Sequence, residues 1–505
     1  MTLVSAFNES FWHNAGKAAI EFHGMKISFE QLDKTSNKVA NALIRLGIKK
    51  GDRVAQFLEN SIELPFFFLG ALKAGAIVVP INTFYRDMEL DHIINNSGAS
   101  LILVDNERLK VIESCRHRLK SLKKIITPED NPRYIPFSQL IKDAADLKPQ
   151  VSIGAQDGAI IFYTSGTTGK SKGALLSHYN VESNLKSLKE AWRWKAGDRL
   201  FLALPLYHIH GLGVGLCGSL YNGASIVLRK KFIAEEALPL IQQHRCTMMM
   251  GVPTMYIKIL ETEDRKKCDI SSIRVFISGS APLSSETAKE FRETFGHEIL
   301  ERAGMSETMM NFSNPYDGPR KLGTVGKPLP GLQVRLVDKR FRDVPRGEAG
   351  DLLIRGPSVF KGYWNAPEKN NGSFYQGWFI TGDIAKEDED GHYSFVGRSR
   401  DMIISGGLKV FPREVEELID KHPAVKESAV VGVPDKIFGE SVKAYIVLKN
   451  GISIGVEDIQ RHCKEHLASY KKPRYIEIVP DLPKTATGKV QKTVLQEMAL
   501  KSMSQ

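Results

Sequence analysis

The most informative stretch of the sequence is Gly158-Ala-Ile-Ile-Phe-Tyr-Thr-Ser-Gly-Thr-Thr-Gly-Lys-Ser-Lys-Gly173. Its first seven residues are a mostly apolar run that predicts a buried strand. Gly166, Gly169 and Gly173 follow, interspersed with hydroxyl side chains and two lysines. Glycine lets backbone N–H groups approach an anion and lysine adds positive charge, so this loop is predicted to bind phosphate groups. It is not a Walker A loop, because that pattern requires glycine where Thr164 stands.

Strand-like apolar runs alternate with helical patterns on both sides of this loop. Examples of such runs begin at Arg53, Ser100, Arg199, Ala224 and Ile273. This alternation predicts an α/β fold, with a large N-terminal domain of mixed or parallel sheets flanked by helices. The most apolar segment, residues 64–80, is short for a membrane span and carries Lys73. It is predicted to be a buried helix that turns at Gly75 into a strand.

The pattern of predicted helices and strands changes toward the C-terminus. From Gly323 onward, short strands with Gly/Pro turns predict a small β-barrel-like subdomain, and beyond residue 400 a compact α+β pattern appears. A chain of 505 residues is too long for one ordinary core. We therefore predict an N-terminal domain at 1–397, a hinge at 398–401 and a small C-terminal domain at 402–505.

Composition and charge narrow the class of protein. The chain is 42% hydrophobic and 25% charged, with a net charge of +11, but its basic residues are spread along the sequence. Such a spread is typical of a solvated surface, so no nucleic-acid partner is predicted. The five cysteines form no CxxC pair, and the N-terminus lacks the features of a signal peptide. We expect a cytoplasmic protein without an integral membrane segment, either a monomer or a homodimer.

Five further motifs follow the phosphate loop. They are GSAPL (279–283), AGMSET (303–308), TGD (381–383), GRSRD (397–401) and PKTATGK (483–489). In this order, they and the loop resemble the signature of the adenylate-forming superfamily, which contains acyl-CoA synthetases, luciferases and peptide-synthetase adenylation domains. The resemblance covers essentially the whole chain. It implies that ATP activates a carboxylic acid as an acyl-adenylate with release of pyrophosphate, with Mg²⁺ as metal and CoA as the acceptor that forms the thioester.

The resemblance implies roles for individual residues. Lys489 would be the electrostatic catalyst that bridges carboxylate and α-phosphate, Glu307 with Thr164 would hold Mg²⁺, and Asp383 with Arg398 would bind the ribose. Around Arg400, the small domain would rotate between half-reactions and present Gly406 and Gly407 to CoA. The other residues predicted to bind ATP are Ser165, Gly166, Thr167, Thr168, Gly169, Lys172, Gly279, Ser280, Ala281, Ala303, Gly304, Met305 and Ser306.

Two positions depart from the family pattern. Ala303 stands where the superfamily commonly has a tyrosine that stacks on adenine, and Ser306 replaces the usual threonine but keeps a hydroxyl. We expect the adenine to stack elsewhere or the pocket to be larger at Ala303.

The sequence indicates the type of reaction more closely than it indicates the carboxylic acid substrate. The residues predicted to line the acyl site are His208, which is also a candidate catalytic group, Gly251, Arg302, Met305 and Met309. Segments around Gly251, Gly279 and Arg302 look most like malonyl-CoA synthetases. In that interpretation Arg302 pairs with the distal carboxylate of a short diacid. Alternatively, Arg302 pairs with Glu301 or Glu307 in a structural role.

Other functions stay open from the sequence. Methionines at the acyl site equally suit a fatty or aromatic monoacid. A carrier-protein-loading adenylation enzyme, a luciferase-like oxygenase and a degenerate nucleotide-binding protein are the alternatives of other kinds. Intact Lys489, Glu307 and Asp383 argue against degeneration.

Overall fold

The computed structural model describes residues 1–164, 171–263, 265–399, 401–405, 408–435, 437–485 and 488–503. Numbered in chain order, its helices are α1 (Leu3–His13), α2 (Phe29–Arg45), α3 (Glu63–Lys73), α4 (Asp87–Ser97), α5 (Asn106–Cys115), α6 (Phe137–Lys142), α7 (His178–Ala191), α8 (Cys217–Tyr221), α9 (Ala234–His244), α10 (Pro253–Glu261), α11 (Ser285–Phe295), α12 (Pro367–Asn371), α13 (Pro412–Ile419), α14 (Val456–His466) and α15 (Lys492–Met503), with a π-helix at His210–Leu216.

The strands, numbered in the same way, are β1 (Ala18–Phe22), β2 (Met25–Ser28), β3 (Arg53–Phe57), β4 (Ile77–Pro80), β5 (Leu101–Val104), β6 (Lys124–Thr127), β7 (Ile135–Pro136), β8 (Gly158–Thr164), β9 (Lys172–Ser177), β10 (Arg199–Leu202), β11 (Ser225–Leu228), β12 (Met248–Gly251), β13 (Val275–Ser278), β14 (Ile299–Met305), β15 (Met309–Ser313), β16 (Lys327–Pro328), β17 (Gln333–Val337), β18 (Ala349–Arg355), β19 (Phe374–Tyr375), β20 (Trp378–Glu387), β21 (Tyr393–Arg398), β22 (Ile403–Ser405), β23 (Leu408–Val410), β24 (Val425–Asp435), β25 (Gly439–Leu448) and β26 (Tyr475–Ile478).

Two large sheets form the N-terminal part, as the alternating pattern predicts. The first has seven strands in the order β7-β6-β5-β3-β4-β8-β9 and is parallel except for the β8–β9 hairpin. The second has nine strands in the order β16-β15-β14-β13-β12-β10-β11-β1-β2, parallel in its centre and antiparallel at both edges. Helices cover these sheets, so the predicted α/β class is confirmed.

Two smaller sheets follow in the chain. Strands β17 to β21 form a five-stranded antiparallel sheet, which is the small β subdomain that the Gly/Pro-rich segment predicts. Strands β22 to β26 form the last sheet, which packs against α13, α14 and α15 around hydrophobic clusters of its own. The boundary between the two parts stays a prediction.

The apolar segment at residues 64–80 is a helix and a strand, as predicted. Helix α3 ends near Gly75, which has a positive φ of 72°, and β4 follows. The buried Lys73 is paired: its Nζ lies 2.6 Å from Asp33 Oδ1 and donates hydrogen bonds to Ser36 and Asn37 on α2. A buried ammonium requires such partners, so this lysine joins the two helices.

The carboxyl ends of the parallel strands in the nine-stranded sheet lie at the same edge of that sheet. Strands β10, β12 and β13 end at residues 202, 251 and 278, and β14 runs past that edge into its hairpin with β15. Ligands of α/β proteins bind outside the carboxyl ends of parallel strands. Among the predicted acyl-site residues, Gly251 is the last residue of β12, His208 follows β10, and Arg302 lies in β14, so the topology places them toward this edge of the sheet.

His178 is a buried histidine at the start of α7. Its side chain is fully buried, and neither ring nitrogen has a hydrogen-bond partner within the described part of the chain. Burial lowers the pKa of His178 to about 4. The imidazole is therefore neutral in the folded protein and takes up a proton more readily when the chain unfolds.

This histidine is expected to make the fold sensitive to acid. Because the folded pKa of about 4 lies below the unfolded value of 6.5, its contribution is intact above pH 6.5 and is lost as the pH falls toward 4. At pH 5 the loss is about 2 kcal/mol. Urea unfolding at pH 7.5 and 5.0 should show a smaller pH effect for His178→Leu than for the wild type. The same pH effect in both proteins would contradict this assignment, and His117→Leu, at an exposed position, is the control.

Candidate active site

The hairpin of β8 and β9 carries the predicted phosphate loop at its tip. Thr164 pairs with Lys172 across the hairpin, and the Thr164 hydroxyl donates a 3.4 Å hydrogen bond to the Lys172 carbonyl oxygen. His92 Nε2 on α4 donates a 2.7 Å hydrogen bond to the carbonyl oxygen of Ser171, which fixes the returning end of the loop. The predicted ATP-binding residues between these ends, Ser165, Gly166, Thr167, Thr168 and Gly169, lie outside the described residues.

Tyr363 links the lysine of the hairpin to the predicted magnesium ligand. Lys172 Nζ lies 5.0 Å from the centroid of the Tyr363 ring, and the Tyr363 hydroxyl donates a 2.9 Å hydrogen bond to Glu307 Oε1. Glu307 is only 6% exposed. Burial raises the pKa of Glu307, while the Tyr363 hydrogen bond and the charge of Arg398 act in the opposite direction. A cation beside this carboxyl group would stabilise its charged form.

Sequence reasoning did not identify Tyr363. It lies in a glycine-containing turn, 56 residues from Glu307 along the chain. No periodicity or spacing marks such a residue. Only the packing of the turn against the β14–β15 hairpin, where the Phe360 N–H donates a 2.9 Å hydrogen bond to the Glu307 carbonyl oxygen, brings the tyrosine to the carboxylate.

Asp383 and Arg398 face each other on the small β subdomain. They are paired in register on β20 and β21, and Arg398 Nε lies 3.0 Å from Asp383 Oδ1. Both side chains keep some exposure, and their charges act on Glu307. The structure therefore brings Lys172, Glu307, Asp383 and Arg398 into one region; the resemblance assigns Glu307 to Mg²⁺ and the other three to ATP.

The loop after β13 approaches the acyl site closely. A β-carbon at Gly279 would lie 2.5 Å from Cζ of Arg302, so a larger residue there would displace this guanidinium. Ser280, the next residue, has a φ of 71°, a left-handed conformation that is strained for a residue other than glycine. Ala281 follows in the same loop.

The β14–β15 hairpin carries the motif that departs from the family pattern. Ala303 is 8% exposed and belongs to a hydrophobic cluster with Phe312 and Tyr393. A β-carbon at Gly304 would lie 2.1 Å from the carbonyl oxygen of Met309, so the hairpin requires glycine there. Met305 and Ser306 are partly exposed.

Arg302 is the most unusual residue of the site. Its side chain is 2% exposed, and its Nε and Nη2 have no hydrogen-bond partner among the described residues. Glu301 instead accepts a 3.1 Å hydrogen bond from the Leu283 N–H, and Glu307 is bonded to Tyr363. In the part of the chain that is described, the structural pairing of Arg302 with either glutamate is not observed.

Three other predicted acyl-site residues have close-packed or buried surroundings. Gly251 packs against the Tyr256 ring, with 3.2 Å from its ideal β-carbon position to the ring, and Met309 has a positive φ of 59°. His208 Nε2 is buried and has no partner within the described ranges, and burial lowers the pKa of His208 to about 4. His208 is therefore neutral at pH 7 and can serve as a hydrogen-bonding group but not as a cation.

The loop that carries Lys489 reaches the same edge of the sheet. A β-carbon at Gly488 would lie 3.1 Å from Oγ1 of Thr254, which is in α10 just after Gly251. The turn is closed by the Lys489 N–H, which donates to Thr485 Oγ1 at 3.2 Å, and is held at its base by the 2.6 Å ion pair of Lys484 and Glu427. The proposed catalytic lysine thus lies on a loop that contacts the acyl-site region.

The predicted hinge and CoA residues are not described. Arg400, Gly406 and Gly407 lie outside the described residues. Beside them, the Ser399 hydroxyl donates a hydrogen bond to Asp351, whose other oxygen lies 2.8 Å from Lys339 Nζ. Cys115, Cys217, Cys246 and Cys463 are free thiols. Where the chain is described, no helix has both the length and the apolarity needed to cross a membrane.

Comparison with known proteins identifies the family to which the chain belongs. Residues 7–364 match the family of AMP-binding enzymes, and residues 414–489 match the C-terminal domain of AMP-binding enzymes. The chain is similar to a long-chain-fatty-acid–CoA ligase of Yersinia pestis, with 33% identity over 99% of this chain and 95% of the relative. It is also 34% identical to an oxalate–CoA ligase of Arabidopsis thaliana, over 89% of both chains.

Solved structures of related enzymes are similar to this chain over almost its whole length. ATP-bound MatB from Rhodopseudomonas palustris matches with a TM-score of 0.92 and 39% identity over 99% of both chains. The anthranilate–CoA ligase AuaEII matches with a TM-score of 0.94 and 33% identity, covering 100% of this chain and 98% of that structure.

The chain belongs to the family of AMP-binding enzymes. With relatives that are acyl-CoA ligases over almost its whole length, it is an AMP-forming acid–thiol ligase that uses ATP and CoA.

Proposed function

We propose that this ligase activates a short dicarboxylate, malonate or a close relative of it, and transfers the acyl group to CoA. The observation that carries the proposal is Arg302, a buried guanidinium with two nitrogens lacking any partner among the described residues. A buried cation without an anion is unfavourable. The site is therefore complementary to a ligand that brings a negative charge of its own.

A second carboxylate supplies that charge. The carboxylate that reacts must meet the α-phosphate of ATP and Lys489, so it does not neutralise a separate cation. Burial lowers the pKa of Arg302 to about 9, which leaves the guanidinium charged at pH 7. A guanidinium can bind a carboxylate through two parallel hydrogen bonds, which fixes its orientation as well as its charge. The likeness to an oxalate–CoA ligase and to MatB, a malonyl-CoA synthetase, supports a diacid.

The other residues act on the nucleotide and the reacting carboxylate. Adenylation brings two anions together, so the protein contributes mainly positioning and positive charge. Lys489 holds the carboxylate oxygen against the α-phosphate, and Asp383 with Arg398 holds the ribose hydroxyls. Glu307 and Thr164 offer the oxygen ligands that Mg²⁺ prefers, and the buried Glu307 carboxyl group favours a cation beside it; bound there, Mg²⁺ would neutralise phosphate charge.

Domain rotation would separate the two half-reactions. We propose that residues 402–505 move as a lid on the hinge 398–401 against the N-terminal domain 1–397. The contact of Gly488 with Thr254 of α10 supports a first position in which the Lys489 loop reaches the acyl-site region. In the second, Gly406 and Gly407 face CoA. Such closure completes alternative active sites around one bound intermediate.

A monocarboxylate is the second candidate. It is favoured by the methionines Met305 and Met309 at the site and by relatives that are long-chain-fatty-acid–CoA ligases. A long apolar chain at Arg302 would leave the guanidinium buried without a partner, at a cost of several kcal/mol. For this reason the diacid is preferred.

A pyrophosphate-release assay tests the proposal. Malonate, methylmalonate, oxalate, acetate, octanoate, palmitate and benzoate are compared with Mg-ATP, with and without CoA. We expect the highest kcat/KM with a short diacid, and CoA thioester formation when CoA is present. A preference for octanoate, palmitate or benzoate over every diacid would reject the diacid, and pyrophosphate release without any thioester would point to another acceptor.

A further inference from the structure

We propose that His210 is a second specificity-determining residue, donating a hydrogen bond from Nε2 to the distal carboxylate, and that Ser280 holds the imidazole in the required tautomer. This inference rests on the proposed function, since it concerns the distal end of a diacid. It adds a neutral donor, which the sequence did not indicate, beside the charged Arg302.

His210 lies at an irregular point of the backbone. It opens the π-helix that ends at Leu216, and it is 3% exposed. The next residue allows this geometry: a β-carbon at Gly211 would lie 2.2 Å from the carbonyl oxygen of Pro205, so the backbone approaches as only glycine permits. Single-turn π-helices are rare and occur often at functional sites. Here the π-helix follows β10 and turns the histidine inward.

The two ring nitrogens of His210 have different surroundings. Nδ1 lies 3.3 Å from the Ser280 hydroxyl. Nε2 is buried and has no partner in the described ranges of the chain. If the serine hydroxyl donates to Nδ1, the ring proton lies on Nε2, so the unpartnered atom is an N–H donor. Ser280 keeps its strained positive φ of 71° in this arrangement, and such strain persists where the surrounding structure fixes it.

His210 stays neutral next to Arg302. Burial lowers the pKa of His210 well below its ordinary value, and the charges of Arg302 and then His208 act in the same direction. The two side chains are therefore near enough to interact, and a second cation is avoided. The guanidinium supplies charge to an anion, while the imidazole supplies one directed hydrogen bond.

Other buried polar groups at this site also lack partners. Within the described residues, Ser278 Oγ, at the end of β13 and one residue before the glycine that packs on Arg302, has no hydrogen-bond partner. Like His210 Nε2 and two of the Arg302 nitrogens, it is a buried polar atom without a partner among the described residues. An apolar acyl chain would leave all of them unsatisfied, whereas a carboxylate offers two oxygens that accept several hydrogen bonds.

The test compares two side chains of similar volume at this position. His210→Gln keeps an N–H donor near the place of Nε2, and His210→Met has none. We expect His210→Met to lower kcat/KM for malonate by about 10- to 150-fold, the range for a hydrogen bond to a charged group. The loss should appear in KM with kcat almost unchanged, because the distal carboxylate is bound equally in the ground and transition states. His210→Gln should lose less than about 10-fold.

Controls separate this inference from the proposed function and from misfolding. The melting temperature and its rise with Mg-ATP report the folding of both variants, and acetate activity reports the reacting centre. If Arg302→Met is selective against malonate but the two His210 variants behave alike, or lose malonate and acetate activity equally, His210 has no such role and the diacid proposal stands. If the wild-type enzyme does not use any diacid, both fail.

Discussion

Replacing Lys489 with alanine is expected to slow adenylate formation by about 1,000-fold. One positive charge at contact distance from the transferring groups contributes on the order of 4 kcal/mol at the effective dielectric of a protein site. The contact of Gly488 with Thr254 places the loop that carries this lysine beside the carboxyl end of β12. The variant should keep its affinity for ATP largely intact, since Asp383, Arg398 and Glu307 are unchanged.

The second half-reaction should be spared in this variant. When a pre-made acyl-adenylate is supplied with CoA, thioester formation should proceed within about 3-fold of the wild-type rate, because the lid would then present another face. Rapid-quench measurement of each half-reaction separates the two steps. Lys501→Ala, at an exposed position in α15, is the matched control. Loss of both half-reactions to the same extent would contradict the two-position mechanism.

Replacing Arg302 with methionine is expected to lower kcat/KM for malonate by roughly 100-fold or more. Truncating one partner of a buried charge pair costs about 2–5 kcal/mol, much of it from the anion left without a partner. Methionine keeps much of the length of the arginine side chain and avoids a cavity against Gly279. Activity with acetate should fall by less than about 3-fold, because removing a buried unpartnered charge also removes its desolvation cost.

Arg302→Lys refines the same test. Lysine keeps the charge but not the planar fork that binds both carboxylate oxygens, so an intermediate loss with malonate is expected. The measurement is initial-rate kinetics of pyrophosphate release with both acids for all three proteins. An equal fall with malonate and acetate in Arg302→Met would remove the role of this residue in selecting the acid and leave it a structural one.

The two experiments concern a motif loop, which the sequence predicted, and the surroundings of Arg302, which it did not. The strand at residues 158–164 and the phosphate-binding character of the loop after it were predicted from residue types, and the later motifs from the family resemblance. The structure adds that the glycines of two motifs leave no room for a β-carbon, Gly279 beside Arg302 and Gly304 beside Met309. The helix and strand on either side of Gly75 were also predicted from residue types.

The hydrogen-bond partners of the buried polar side chains could not be predicted from short sequence segments. The sequence left open whether Arg302 binds the distal carboxylate of a diacid or pairs with Glu301 or Glu307, because the partners of a buried side chain depend on tertiary packing. The structure bonds Glu301 to Leu283 and Glu307 to Tyr363, and two nitrogens of Arg302 have no partner among the described residues. The sequence also gave no reason to expect a π-helix at His210, since irregular helices depend on contacts with distant backbone.

The sequence by itself determined the class of enzyme and the position of each motif, because local backbone geometry and residue chemistry are encoded in short segments. Tertiary structure alone decided which polar groups are satisfied within the protein and which are left for a ligand. That outcome depends on contacts between segments far apart in the chain, such as Tyr363 with Glu307 and Ser280 with His210. The proposed preference for a diacid therefore rests on the packing around Arg302, which no single motif encodes.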